Sequence, residues 1–219
     1  MRKIKTLLIY TLFTAVIVVC GIVSKDKWYN ILFSAIAVVY LLLLTDGKKY
    51  AYPICSVYAL GYGIISFRTG FYATAVYHVL FLLPTSVYRF ILSFRKKEKA
   101  TEIKSLSVMA RISAVLICAA LSVGLYFLLR AIGDSQPLLD GVILAISLLT
   151  SAMMFGNCLE MWWFNLAASV LYAVMWAVEF FTNGTGFAFA IMQTVVSVIN
   201  VKGIVDWKKT KKIKNSPIG

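Results

Sequence analysis

Six side chains between Glu160 and Glu179 have types and spacing that could act together on a ligand. Trp162, Asn165, Ser169, Tyr172, Trp176 and Glu179 follow one another at alternating three- and four-residue steps, which places them on one face of a helix. The other faces of the same stretch carry Leu, Ala, Val and Met. Indole and phenol rings stack on a flat molecule, while amide, hydroxyl and carboxylate groups hydrogen-bond to its polar edge. In a soluble protein such a stripe would be the wet side of a helix. This stretch is long and apolar enough to cross a bilayer, where polar groups facing lipid cost free energy. The stripe is therefore expected to face protein or a water-filled path.

Three other segments offer comparable faces. The third apolar segment carries Cys55, Tyr58, Tyr62 and Ser66, and the fourth carries Thr74, His78, Phe81 and Thr85. The eighth carries Phe189, Gln193, Ser197 and Asn200. Together the four stripes have the composition of a small-molecule pocket, aromatic walls with a few placed polar groups. The substrate-contacting set read from them is Trp162, Asn165, Ser169, Tyr172, Trp176, Gln193, Asn200, His78, Tyr62 and Glu160. Plainer readings stand beside this one. Trp162 and Trp163 lie near a helix end, where tryptophans also form the interfacial belt. His78 can serve only as a tie between helices, and Glu179 can reach for the outer surface. Pro84 frees a backbone carbonyl and marks a kink or hinge.

The elements that must position these residues follow from composition. Of 219 residues, 61% are hydrophobic and 14% charged, with a mean hydropathy of +0.84. A soluble domain carries about a quarter charged residues, so the chain is read as an all-α integral membrane protein. Eight apolar runs approach the roughly 20 residues a spanning helix needs: 7–23, 28–45, 50–67, 71–94, 109–132, 138–155, 160–181 and 185–207. The first is read as an uncleaved helix. The breaks are turn-like, among them Asp46-Gly47, Arg68-Thr69-Gly70, Gly133-Asp134 and Asn183-Gly184.

Most Lys and Arg fall on one side, Arg2, Lys3, Lys5, Lys48, Lys49, the linker Arg95–Ser105 and the tail from Lys208 to Lys214, against Lys25, Lys27, Arg68 and Arg130 on the other. The positive-inside rule makes the richer side cytoplasmic, with both termini there. A faint repeat relates Thr69-Gly70-Phe71 to Thr185-Gly186-Phe187. It gives one transmembrane domain in a 1+3+1+3 arrangement: an extra first helix (7–23), repeat one (28–94), a linker helix (109–132), repeat two (138–207) and a basic tail (208–219). Two parallel three-helix units related by an axis along the membrane normal are the SWEET-like plan.

Several function classes fall away. The +13 net charge sits in short flanks rather than on a basic face, so nucleic acid is not expected as a partner. No GxxxxGK[ST], HExxH or GxSxG occurs, so neither P-loop hydrolysis nor these hydrolytic chemistries are expected. Cys20, Cys55, Cys118 and Cys158 form no CxxC, and with a lone histidine they make no zinc site. No enzyme activity, metal or cofactor is expected.

Asp140, the run Asn157-Cys158-Leu159-Glu160-Met161-Trp162-Trp163, and Asn200, Gly203 and Trp207 ahead of the basic tail resemble the PnuC family of vitamin-precursor transporters. Gly70-Phe71-Tyr72 and Leu83-Pro84 extend the resemblance, which covers residues 28–209. It implies a SWEET-like trimer that carries nicotinamide riboside, or another vitamin such as thiamine or riboflavin, by facilitated diffusion. It also places Glu160, Trp162 and Asn200 on family motif positions. The chain departs where the family carries a second Trp three residues after the first, since Asn165 stands there with Trp163 beside the first. It departs again near Arg89 and at Phe94. A substrate-capture subunit of an ATP-driven vitamin transporter is the competing class, though such subunits have six helices rather than eight with a repeat.

Overall fold

The computed structural model describes residues 2–45, 48–95, 104–156 and 158–214. The Asp46-Gly47 turn, Lys97 and most of its linker, Asn157 and the last five residues lie outside that set. Among the described residues every regular element is a helix, with one isolated parallel bridge between Lys104 and Cys158. The helices are α1 (Arg2–Val23), α2 (Trp28–Thr45), α3 (Ala51–Thr69), α4 (Tyr72–Val76, Tyr77–Leu82 and Leu83–Arg95 in succession), α5 (Val108–Ala131), α6 (Pro137–Phe155), α7 (Met161–Asn183) and α8 (Phe187–Lys214). The boundaries match the apolar runs within a few residues. The largest difference is at the C-terminus, where α8 runs into the basic tail as far as Lys214.

Local chemistry explains the ends. Gly70, with φ of 87°, terminates α3 by returning its N–H to Phe67 O, a left-handed position that a Cβ disfavours. Gly184 does the same for α7. Ser107 starts α5 by accepting from Ala110 N at 3.2 Å, and Pro137 opens α6 where its missing N–H goes unneeded. The middle of α4 is π-helical over Tyr77–Leu82, with Leu83 N–H bonded to His78 O. Pro84 follows directly, and its ring would crowd the carbonyl of Leu80 in a regular helix; widening the turn upstream relieves that clash.

Among the described residues, five helices are long and apolar enough to cross a membrane on their own account: Tyr72–Phe94, Val108–Ala131, Pro137–Met154, Met161–Asn183 and Phe187–Lys208. Thr11–Val23 and Trp28–Leu44 are shorter apolar helices. Exposed side chains such as Leu116 (64%), Phe127 (63%) and Phe181 (83%) belong on a lipid-facing surface. This is a multi-pass membrane protein.

Six helices close into a ring by their contacts: α2 on α3, α3 on α4, α4 on α6, α6 on α7, α7 on α8, and α8 back on α2. Helix α1 lies outside against α2 and α8, and α5 lies outside against α6. The principal core fills the ring and includes Tyr58, Tyr62, Phe71, Tyr172, Trp176 and Phe189. Lipid removes most of the hydrophobic drive between helices, so this packing rests on van der Waals contact and interhelical hydrogen bonds. The ring has two ends. The terminal end carries the start of α1 and the end of α8, and the distal end carries the turns around Asp26, Gly70, Asp134 and Gly184.

Candidate functional site

The stripe on α7 points into the ring. Tyr172 and Trp176 are buried, and so are Ser169 and Glu179, whereas Trp163, Val170, Val174 and Val178 on the other faces are 43–50% exposed. Three of the helices flanking the ring interior add their own stripes, and the side chains meet in three tiers.

The first tier, toward the distal end, is aromatic. Trp176 Nε1 donates to the hydroxyl of Tyr62, joining α7 to α3 across the ring. Phe189 packs on both, with ring centroids 4.6 Å from Trp176 and 4.8 Å from Tyr62. Phe71 closes edge-on against Trp176 at 5.0 Å. The indole rests on backbone: a Cβ at Gly186 would lie 2.4 Å from Trp176 Cε3. His78 sits 4.5 Å from Tyr62, centroid to centroid. Its Nδ1 lies 2.8 Å from Thr74 O, so the proton is on Nδ1 and Nε2 is left for another partner.

Tyr172 occupies the next position, 6.3 Å from His78. Its buried hydroxyl makes no well-formed hydrogen bond. Its polar neighbour is Thr74, whose own hydroxyl is already given to Asp140. Asp140 is fully buried, and it also accepts from Ala73 N at 2.8 Å and Thr74 N at 2.9 Å, pinning the start of α4 to α6.

The second tier is a polar ladder between α7 and α8. Ser169 and Ser197 hydroxyls are 2.9 Å apart, Asn200 Nδ2 donates to Ser169 Oγ at 3.2 Å, and Asn165 Nδ2 reaches Asn200 Oδ1 at 3.4 Å. Asn200 and Gln193 are buried, Asn165 is open, and the Gln193 side chain lies beside the Tyr62 hydroxyl.

The third tier, near the terminal end, holds Trp162 against α8. A Cβ at Gly203 would lie 2.4 Å from Trp162 Cε3, and Trp207 meets the indole edge-on at 5.7 Å. Trp162 Nε1 is buried with no hydrogen-bond partner. Glu160 stands apart from the tiers. It bridges to Arg111 of α5 at 2.8 Å and accepts from Leu106 N at 3.1 Å, so both its oxygens are engaged. Trp163 faces outward under Lys208 Nζ at 5.2 Å.

Two sequence expectations on α4 shift. Phe81 is 44% exposed, and Thr85 is only half-buried. Ser86 is buried instead and lies 2.7 Å from Ser56 of α3. The π segment inserts a residue into the turn, so positions beyond His78 fall one residue late. Glu179 does not reach for the surface: it is buried and accepts from Asn183 Nδ2 at 2.9 Å. Asp26 and Asp134 are buried as well, Asp134 in a turn that the sequence marks and Asp26 where the sequence reading singled out nothing. The signal that marks them is an aspartate directly after a left-handed residue, Lys25 (φ 55°) and Gly133 (φ 78°). Among the described residues, no group of three or more His, Cys, Asp and Glu side chains is placed to hold a metal ion.

The family model for nicotinamide mononucleotide transporters matches residues 27–209. A curated relative, the nicotinamide riboside transporter PnuC of Neisseria mucosa, is 23% identical over 212 residues. The match spans 92% of this chain and 80% of that protein. The fold is similar to the crystal structure of the vitamin B3 transporter PnuC, with a TM-score of 0.77 and 20% identity, covering 94% of this chain and 92% of that one.

Proposed function

Because the chain belongs to the nicotinamide mononucleotide transporter family, the PnuC-type carriers, we propose that this membrane transporter moves nicotinamide riboside through the interior of its six-helix ring. The observation that carries the reading is the pairing of tiers inside the ring. Flat aromatic walls at Tyr62, Trp176 and Phe189 lie beside the amide of Gln193, and the amides of Asn200 and Asn165 follow along the ring toward the terminal end. A pyridinium carboxamide offers a face for stacking, and its ribose offers hydroxyls for the amides. Charge favours the riboside over the mononucleotide. Among the described residues the buried charged side chains are all acidic: Asp26, Asp134, Asp140, Glu160 and Glu179. A phosphate taken out of water needs cationic partners.

The same proposal covers the working cycle. Helices α2–α4 and α6–α8 form two parallel three-helix units in a 1+3+1+3, SWEET-like plan. The ring order supports it, since the junctions α4–α6 and α8–α2 exchange under a two-fold relation. All eight helices cross the cell membrane with both termini cytoplasmic, in a homotrimer, as family resemblance implies. Transport follows the substrate gradient without ATP or ions. Glu160, with both oxygens engaged, positions the start of α7, while Trp162, Asn165, Ser169, Tyr172, Trp176, Gln193, Asn200, His78 and Tyr62 line the path.

The test is uptake by the purified protein alone in liposomes, with nicotinamide riboside, nicotinamide mononucleotide, thiamine and riboflavin compared. The riboside should equilibrate and the mononucleotide should not. Accumulation above equilibrium on an imposed pH or sodium gradient would refute the uniport cycle, and preference for thiamine or riboflavin would refute the substrate.

A further inference from the structure

The distal end of the ring is tied shut twice, in the same way. Each tie begins with an aspartate that follows a left-handed residue in the loop leading into a unit: Asp26 before α2 and Asp134 before α6. Each aspartate N–H closes on the carbonyl five residues earlier, Gly21 at 2.9 Å and Leu129 at 3.0 Å. Each side chain then caps the first turn of the last helix of the opposite unit. Asp26 accepts from Gly186 N at 3.0 Å and Ala188 N at 2.9 Å, where α8 begins. Asp134 accepts from Tyr72 N at 2.8 Å, where α4 begins. Tyr72 and Ala188 hold the same place in the matching strings Thr69-Gly70-Phe71-Tyr72 and Thr185-Gly186-Phe187-Ala188.

The chemistry suits a strong but breakable contact. The first N–H groups of a helix have no partner within it. A carboxylate there makes charge-assisted bonds and meets the positive end of the helix dipole. Both aspartates are only 8% exposed. Secondary ties steady them: Asn30 Nδ2 donates to Asp26 at 2.8 Å, Ser135 Oγ donates to Thr69 O at 2.8 Å, and Gln136 Nε2 donates to Met175 O at 3.1 Å.

We propose that Asp26 and Asp134 are a matched pair of latches, each gripping the other unit's last helix, and that releasing either opens the distal end of the ring to water. The proposal rests on the reading of two units that move against each other. The two latches are unequal in their backing. Asp26 uses both oxygens on α8, whereas the α4 start stays held by Asp140 when Asp134 lets go. An asparagine at 26 has one acceptor oxygen for two N–H groups, so Asp26→Asn acts more strongly than Asp134→Asn.

The experiment needs no substrate, so its outcome is separate from the question of what is carried. In the full chain with its four cysteines replaced by alanine, a reporter is placed at Ser66→Cys on α3. Ser66 is fully buried near the distal end. A second reporter, Asn165→Cys, reports toward the terminal end. Membrane-impermeant thiol reagent is added to each side of proteoliposomes. Losing a hydrogen bond to a charged group should speed Ser66→Cys labelling from the distal side by about tenfold or more in Asp26→Asn. The rise should be smaller in Asp134→Asn, and Asn165→Cys labelling from the terminal side should slow in both. Asp206→Asn, at the half-exposed ion pair with Lys202, should change neither rate. Unchanged rates in folded latch variants overturn the proposal. So does a rise at both reporters together, which would mark a loosened fold rather than an opened end. If Asp26→Asn does not fold, Asp134→Asn decides the matter by the same rates, because Asp140 still anchors α4.

Discussion

Removing the Tyr62 hydroxyl tests the bond that spans the ring. Tyr62 is fully buried and Trp176 is 1% exposed, so Tyr62→Phe leaves the indole N–H in a dry site without its acceptor. An orphaned buried donor costs about 1–3 kcal/mol in water-soluble proteins. Within a bilayer the unfolded reference also finds partners, and measured interhelical couplings average about 0.6 with a maximum near 1.7 kcal/mol. Full burial on both sides, with Phe189 and Phe71 packed around the pair, puts this bond toward the upper end. A double-mutant cycle of Tyr62→Phe and Trp176→Phe should therefore give a coupling of about 1–1.7 kcal/mol. The assay is reversible unfolding in mixed detergent micelles, with helix content followed by circular dichroism. Additivity within about 0.3–0.5 kcal/mol would refute the reasoning, because the two side chains would then be neighbours without a shared bond.

Three further outcomes follow from the same geometry. Gly203→Ala puts a methyl where the Trp162 indole lies, so stability in the same unfolding assay should fall by about 1–3 kcal/mol, with weaker ligand binding as the indole shifts. Asp140→Ala strips acceptors from Ala73 N, Thr74 N and the Thr74 hydroxyl; it should cost about 1–3 kcal/mol, and Asp140→Asn less, because one acceptor oxygen remains. Single cysteines at Asn183 and Lys208 should label only from opposite sides of the membrane in intact cells, Asn183 from outside; labelling from one side would overturn the membrane topology.

The face of α7 was legible in the sequence because helical periodicity is local. Trp162, Asn165, Ser169, Tyr172 and Trp176 needed only their spacing to be placed on one side; Ser169, Tyr172 and Trp176 are buried there against the exposed Val170 and Val174, while Asn165 is open. Neighbours were less legible, since no periodicity says that α4 meets α6 or that α8 returns to α2. Glu160 illustrates this: its partners Arg111 and Leu106 lie about fifty residues away in the chain, and nothing local to Glu160 names them. On α4, Pro84 signalled a disturbance, but the π turn it accompanies lies upstream at Tyr77–Leu82. The face therefore rotated, and Ser86 rather than Thr85 became the buried residue. The aspartate caps were hidden for a similar reason. Asp26 and Asp134 look like turn residues until the helix starts they serve, 160 and 62 positions distant, are brought beside them.

The central claim, that the α7 stripe lines the substrate path, is tested most directly by titrating nicotinamide riboside into two sets of folded variants. One set, Asn165→Ala and Tyr172→Phe, changes groups that face the ring; the other, Val170→Ala and Val174→Ala, changes side chains that are 47% and 45% exposed on the opposite faces. Loss of one hydrogen bond to a bound ligand should lower affinity by about two- to twelve-fold in the first set, with the second set unchanged. Equal effects in the two sets would contradict the account and place the path elsewhere.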